Sequence, residues 1–182
     1  MADKDVTVYI IDLGGSMGKC NNGRTESDLD WTMRYVWDKI CTTVAASRKT
    51  WQVGVLGLRT DKTDNSHDHA DGYENISVLQ EVCPMTLSTL RELRTHIRPN
   101  KSHVGDAISA IIVAGDMINE AAPQRLKYTR RIILVTNGKG PIDSDAIEEV
   151  YEKINSLGIQ LTVLYENGPR KPRAPANTGQ RR

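Results

Sequence analysis

The residues whose types could do chemistry crowd into a few short segments. Gly14-Gly15-Ser16-Met17-Gly18-Lys19 offers a glycine-rich turn, a hydroxyl and a cation directly after an apolar run. Such a turn could cradle phosphate. A Walker sequence, however, would need glycine where Leu13 stands and a hydroxyl where Cys20 stands, and Gly14-Gly15-Ser16 misses the dinucleotide fingerprint. Gly14-x-Ser16-x-Gly18 matches a nucleophile elbow by its letters. Yet it follows the first apolar run of the chain, with no strands before it to build a hydrolase sheet, so a chance match is the reading adopted. His67-Asp68-His69 sits in an acidic, polar stretch without a rigid third ligand, which fits a solvated loop better than a metal chelate. Cys20, Cys41 and Cys83 are odd in number and uneven in spacing, unlike a disulfide framework or paired metal knuckles. They imply a reducing, intracellular setting, with Cys41 expected in the core on a helix stripe.

These residues need elements to position them. In a chain of 182 residues, Val6 to Ile11 is a continuous β-branched and aromatic run ending in Asp12, the pattern of a strand buried on both faces. Leu29, Met33, Val36, Trp37, Ile40 and Val44 follow at helical spacing, with Ser27 as cap and Asp28 and Asp30 in the first turn. Trp51 to Leu58 and Asn75 to Leu79 read as strands paired antiparallel at an edge, separated by a polar loop that cannot build a helix. Helices are expected over Leu87 to Ile97 and Gly105 to Asn119, then a strand over Arg131 to Thr136. Asp143 should cap a helix carrying Ile147, Val150, Tyr151 and Ile154, with Ile142 and Ile147 as a hydrophobic staple; Gly158 ends it before a strand over Ile159 to Tyr165. This alternation predicts an α/β fold, a mainly parallel central sheet with one antiparallel edge strand and helices on both faces.

Charge is nearly balanced, 24 Lys and Arg against 23 Asp and Glu, so no whole-chain field announces a nucleic-acid or membrane partner. No apolar run reaches the length of a membrane span, and the start, with Asp3, Lys4 and Asp5, is unlike a signal peptide; a soluble, non-secreted protein is expected. One domain is expected over residues 1–166. Residues 167–182, basic and proline-containing, are expected to be a tail or linker.

In parallel sheets ligands bind outside the carboxyl ends of the strands, where strand order reverses. Asp12-Leu13-Gly14-Gly15-Ser16, Lys101-Ser102-His103-Val104-Gly105 and Thr136-Asn137-Gly138 should converge there. In order and spacing they resemble the three ligand loops of the von Willebrand factor A-type domain, over roughly the first 165 residues. That resemblance implies a metal site, here degenerate. Gly14 stands where the first hydroxyl should be, Ser102 replaces a threonine, Asn137 replaces the second carboxylate, and only Asp12 and Ser16 keep the expected chemistry. Magnesium requires oxygen ligands in near-octahedral array, so no functional metal and no other cofactor is expected. Asp12 and Ser16 then read as turn and capping groups.

Tyr9-Ile10-Ile11-Asp12-Leu13-Gly14-Gly15-Ser16-Met17, Gly57 to Asn65, Tyr73-Glu74-Asn75-Ile76-Ser77-Val78 and Gly105-Asp106-Ala107-Ile108 together resemble the larger subunit of the Ku heterodimer, in wording closest to filamentous fungi. The resemblance implies a nuclear, non-enzymatic protein-interaction domain of a DNA-end-binding complex. Its implied partners are the smaller Ku subunit and short Ku-binding peptides of end-joining and telomere factors. DNA would be held only through the complete heterodimer, and this chain by itself would contact DNA at most weakly and in a salt-sensitive way. A peptide contact is placed at Tyr73 and Ile76 with His103 and Asp106. Against that placement, Tyr73 could be a buried tyrosine and Asp106 a first-turn acid. A metal-dependent adhesion-type module is the alternative reading, and a hydrolase using Ser16 a third.

Overall fold

The computed structural model describes residues 4–102, 104–145 and 147–165. Five strands form one sheet. The elements run β1 (Asp5–Asp12), α1 (Asp28–Ala46), β2 (Trp51–Leu58), β3 (Ile76–Cys83), α2 (Leu87–His96), α3 (Ala107–Ala121), β4 (Thr129–Thr136), α4 (Ile147–Ser156) and β5 (Ile159–Tyr165). The strand order is β3-β2-β1-β4-β5. β1 lies parallel to both β2 and β4, and β4 parallel to β5, while β3 pairs antiparallel with β2 at the edge. The expected architecture is therefore present.

β1 is central because both its faces are apolar. Val6, Val8 and Ile10 pack with α3 and with Val150 and Ile154 of α4 on one side. Tyr9 and Ile11 pack with Leu29, Met33, Val36 and Ile40 of α1 and Leu90 and Leu93 of α2 on the other. Two cores thus sandwich the sheet, as alternating side-chain directions along a strand require. The strand order reverses between β1 and β4, whose following segments leave the sheet toward opposite faces. Asp12 and Thr136, their last residues, therefore stand side by side at the carboxyl edge.

Several boundaries differ from the sequence expectation. Asn75 is not the first strand residue: its φ of 58° lies in the left-handed region, and its side-chain amide donates to the Thr60 carbonyl (2.7 Å), so the strand begins at Ile76. Gly105 precedes α3 with φ 125°, and Asp106 caps the helix by accepting from the Ser109 amide (2.7 Å). α4 begins at Ile147, four residues after the predicted cap Asp143. The Asp143 carboxylate is used instead on the Asp145 amide (3.0 Å), a local turn that competes with helix initiation. Ile142 and Ile147 are both largely exposed, so the predicted staple buries little. Cys41 is exposed as well: it lies one position past Ile40, beyond the buried stripe. Among the described residues no helix is long and apolar enough to cross a membrane. The proposed tail, 167–182, lies outside the described residues.

Candidate functional site at the carboxyl edge of the sheet

The first of the three loops leaves β1 through Asp12, which is wholly buried. Its Oδ1 accepts from the Gly14 amide (2.9 Å), closing the tight turn that the sequence predicts. Its Oδ2 accepts from the Thr136 hydroxyl (2.7 Å) and from Nη1 of Arg59 (2.7 Å). Arg59 follows β2 and is equally buried, at 3% exposure, with its Nη2 donating to the Pro141 carbonyl (2.9 Å). The guanidinium thus ties the loop after β1 to the loop after β4. A paired, hydrogen-bonded arginine is the form in which a buried carboxylate is tolerated.

A second buried carboxylate stands nearby. Asp28, the first residue of α1, takes Arg24 Nη2 on Oδ1 (2.6 Å), and on Oδ2 the amides of Asn21 (2.6 Å) and Asn137 (3.1 Å). Asn137 is buried too, and its Oδ1 accepts from the Ser16 hydroxyl (3.2 Å) and the Lys139 amide (3.2 Å). Four of the five degenerate positions, Asp12, Gly14, Ser16 and Asn137, are therefore brought together. Ser16 bonds across to Asn137 instead of capping its own turn. Ser102 takes no part through its side chain: its hydroxyl bonds within its own loop, to Val104, while its carbonyl accepts from the Gly15 amide (3.4 Å).

The donor set does not suit a divalent cation. Asp12 has spent its oxygens on Arg59, Thr136 and Gly14, and Asn137 brings a neutral amide already shared with Asp28 and Ser16. A magnesium ion on Asp12 would compete with the Arg59 guanidinium and the Thr136 hydroxyl for Oδ2. Sequence reasoning overlooked Arg59. The available signal was a single cation directly after the apolar end of the predicted strand Trp51 to Leu58, at the strand end where ligands bind.

The predicted peptide contact is assembled less completely. Tyr73 is half-buried and stacked on His67, with ring centroids 4.6 Å apart. His67 Nε2 lies 2.9 Å from the Asp116 carboxylate of α3, and Lys153 of α4 meets the other Asp116 oxygen at 2.8 Å. The histidine read as solvated therefore docks its loop onto α3. Ile76 is fully buried in the core beneath it, so its side chain is no contact surface: β3 turns it toward α3. Asp106 caps α3 and also accepts from the Asp143 amide (2.8 Å). His103 lies outside the described residues.

A separate concavity of about 570 Å³ opens at the opposite, amino end of the sheet, lined among others by Tyr9, Tyr35, Lys39, Trp51 and Arg131. Of its charged groups, Arg131 pairs with Asp5 and Lys39 lies over the Tyr35 ring. Burial, then the neighbouring Tyr35 and Asp5, pushes the Tyr9 phenol above its ordinary range.

The Ku70/Ku80 N-terminal alpha/beta domain profile matches residues 6–171. This chain belongs to that family. The chain is 59% identical over 166 residues to "ATP-dependent DNA helicase II subunit 2" of Neurospora crassa, covering 90% of this chain and 23% of that protein. The same-named protein of Chaetomium globosum is 58% identical over 166 residues, covering 90% of the chain and 22% of the relative. That of Schizosaccharomyces pombe is 37% identical over 143 residues, covering 79% and 20%. The chain thus spans about a quarter of the length of the curated relatives it matches. Among solved structures, the SpRpn10 VWA domain superposes with a TM-score of 0.61 at 11% identity, covering 89% of this chain and 75% of that one. An aerotolerance-related membrane protein of Bacteroides fragilis gives 0.59 at 18% identity, covering 88% and 67%. These two share the fold. The Ku family and the A-type fold read from the motifs are both borne out, with fungal relatives.

Proposed function

We propose that this chain is a metal-free protein-docking domain of a nuclear Ku DNA-end-binding complex, non-catalytic in itself, serving end joining and telomere maintenance. The observation that carries the metal-free reading is the Arg59–Asp12 pair: a buried ion pair, not an open ligand set, closes the carboxyl edge of the sheet. Family membership supports a heterodimer with the other Ku subunit; in this reading that partner is the smaller subunit and DNA is held by the complete heterodimer. The word helicase belongs to the relatives' printed name. In this chain the glycine-rich turn lacks Walker spacing, and the Ser16 hydroxyl is engaged with an amide oxygen rather than with a base.

In this reading short peptides of repair and telomere factors dock through Tyr73 and Asp106, with His103, outside the described residues, as the third contact. A half-buried tyrosine stacked on His67 gives a rigid amphipathic wall, which suits capture of a peptide side chain at small entropic cost. The test is fluorescence polarisation with a labelled Ku-binding peptide, with and without excess EDTA. Saturable binding that EDTA leaves unchanged and Tyr73→Ala weakens supports the reading. Binding abolished by EDTA would revive the adhesion-type module, and no binding would remove the docking role.

A further inference from the structure

We propose that Arg59 is the resident cation of the loop cluster, its guanidinium serving in place of the metal that the A-type resemblance implies for these loops. Three loops are shaped around this one side chain. A Cβ on Gly14 would come within 2.9 Å of Arg59 Cδ and 3.1 Å of Asp12 Oδ1, so the hydroxyl missing from that position has been replaced by the arginine stem. A Cβ on Gly105 would approach the Arg59 backbone nitrogen to 3.2 Å, and one on Gly140 would overlap the guanidinium itself. Arg59 is also held at φ 61°, a left-handed conformation that a long side chain keeps only where its surroundings impose it. Its carbonyl accepts from the Asn100 side chain (3.4 Å), which brings the segment before α3 into the same assembly.

The guanidinium does with fixed covalent geometry what a bound ion does by coordination. It neutralises Asp12 and draws the Pro141 loop toward the β1 loop, while the glycines give it room. On this assignment the Arg59–Asp12 pair itself closes the cluster, and a chelator should not open it. This holds whether or not a peptide docks beside it.

Thermal unfolding and Mn²⁺ calorimetry on this chain test the assignment. The wild-type midpoint should stay unchanged in Mg²⁺, Mn²⁺ or EDTA, with no saturable Mn²⁺ site. Arg59→Met should lower the midpoint by about 10 °C, because a carboxylate is left buried without its partner. Combining it with Asp12→Asn should recover roughly half of the loss, the signature of a coupled pair. If Arg59→Met does not fold, Arg59→Lys replaces it and should lose about half as much, since one ammonium cannot span Asp12 and Pro141. A wild-type midpoint raised by Mn²⁺, a Met or Lys variant within about 2 °C of wild type, or a double variant with purely additive loss would each overturn the assignment.

Discussion

Asp12 and Asp28 are both fully buried carboxylates in one loop cluster, each paired with an arginine, and they are held in contrasting ways. Asp28 gathers Arg24 and Asn21 from the turns just before it, and Asn137 is the distant residue among the partners described above. Arg24 is partly open to solvent, and its guanidinium also lies 4.8 Å from the Trp31 ring. Asp12 instead draws on Arg59, 47 positions away, and Thr136, 124 positions away, and both members of its ion pair are sealed from water. The first pair finishes a helix start; the second joins separate parts of the chain. Water, local backbone and Lys139, 4.0 Å from Asp28 Oδ2, can relieve the first when it is broken, whereas Asp12 keeps only the neutral Thr136 and Gly14 donors among the partners described and is sealed from water.

Breaking the two pairs separately measures that contrast. Arg59→Met should cost about 3–5 kcal/mol in urea unfolding, the range for removing one partner of a buried ion pair. Asn137→Asp attacks the point where the clusters touch, setting a carboxylate in place of an amide 3.1 Å from Asp28 Oδ2, and should cost about 2 kcal/mol at neutral pH. That loss should shrink on acidification, since protonating one of two facing carboxylates removes the repulsion. Restoration by Mg²⁺ would instead show that the cluster accepts an ion despite Arg59. Arg24→Met should cost only about 1–2 kcal/mol, with solvent replacing part of the lost pairing. If it matches Arg59→Met, the distinction between the two pairs collapses.

The smallest effect concerns Cys83, the last residue of β3 at the edge of the sheet. Burial, and less strongly Glu81, raise the Cys83 thiol pKa above its ordinary value against the opposing Gln80 hydrogen bond. Cys83, raised in pKa and less exposed, should therefore react with a disulfide reagent at pH 8 more slowly than exposed Cys20 and Cys41. Equal rates would show that the β3 edge opens freely.

Local rules decided much of this protein. The apolar run of β1, the Ser27 cap with Asp28 in the first turn, the Asp12 turn and the glycine that ends α4 follow from side-chain periodicity and short-range hydrogen bonding, and all are present as read. So does the gathering of Asp12, Gly14, Ser16 and Asn137, because a parallel sheet delivers successive strand ends to one edge. Tertiary structure alone decided what occupies the centre of that gathering. A charged residue after a strand looks the same in sequence whether it points to solvent or inward, and only the convergence of the loops bearing Gly14, Gly105 and Gly140 makes a space that Arg59 fills. The same holds for Ile76, Cys41 and His67, whose burial, exposure and docking depend on the direction of one side chain against a neighbouring element. Periodicity gives that direction to within a residue, and a single residue separates the two faces of a strand.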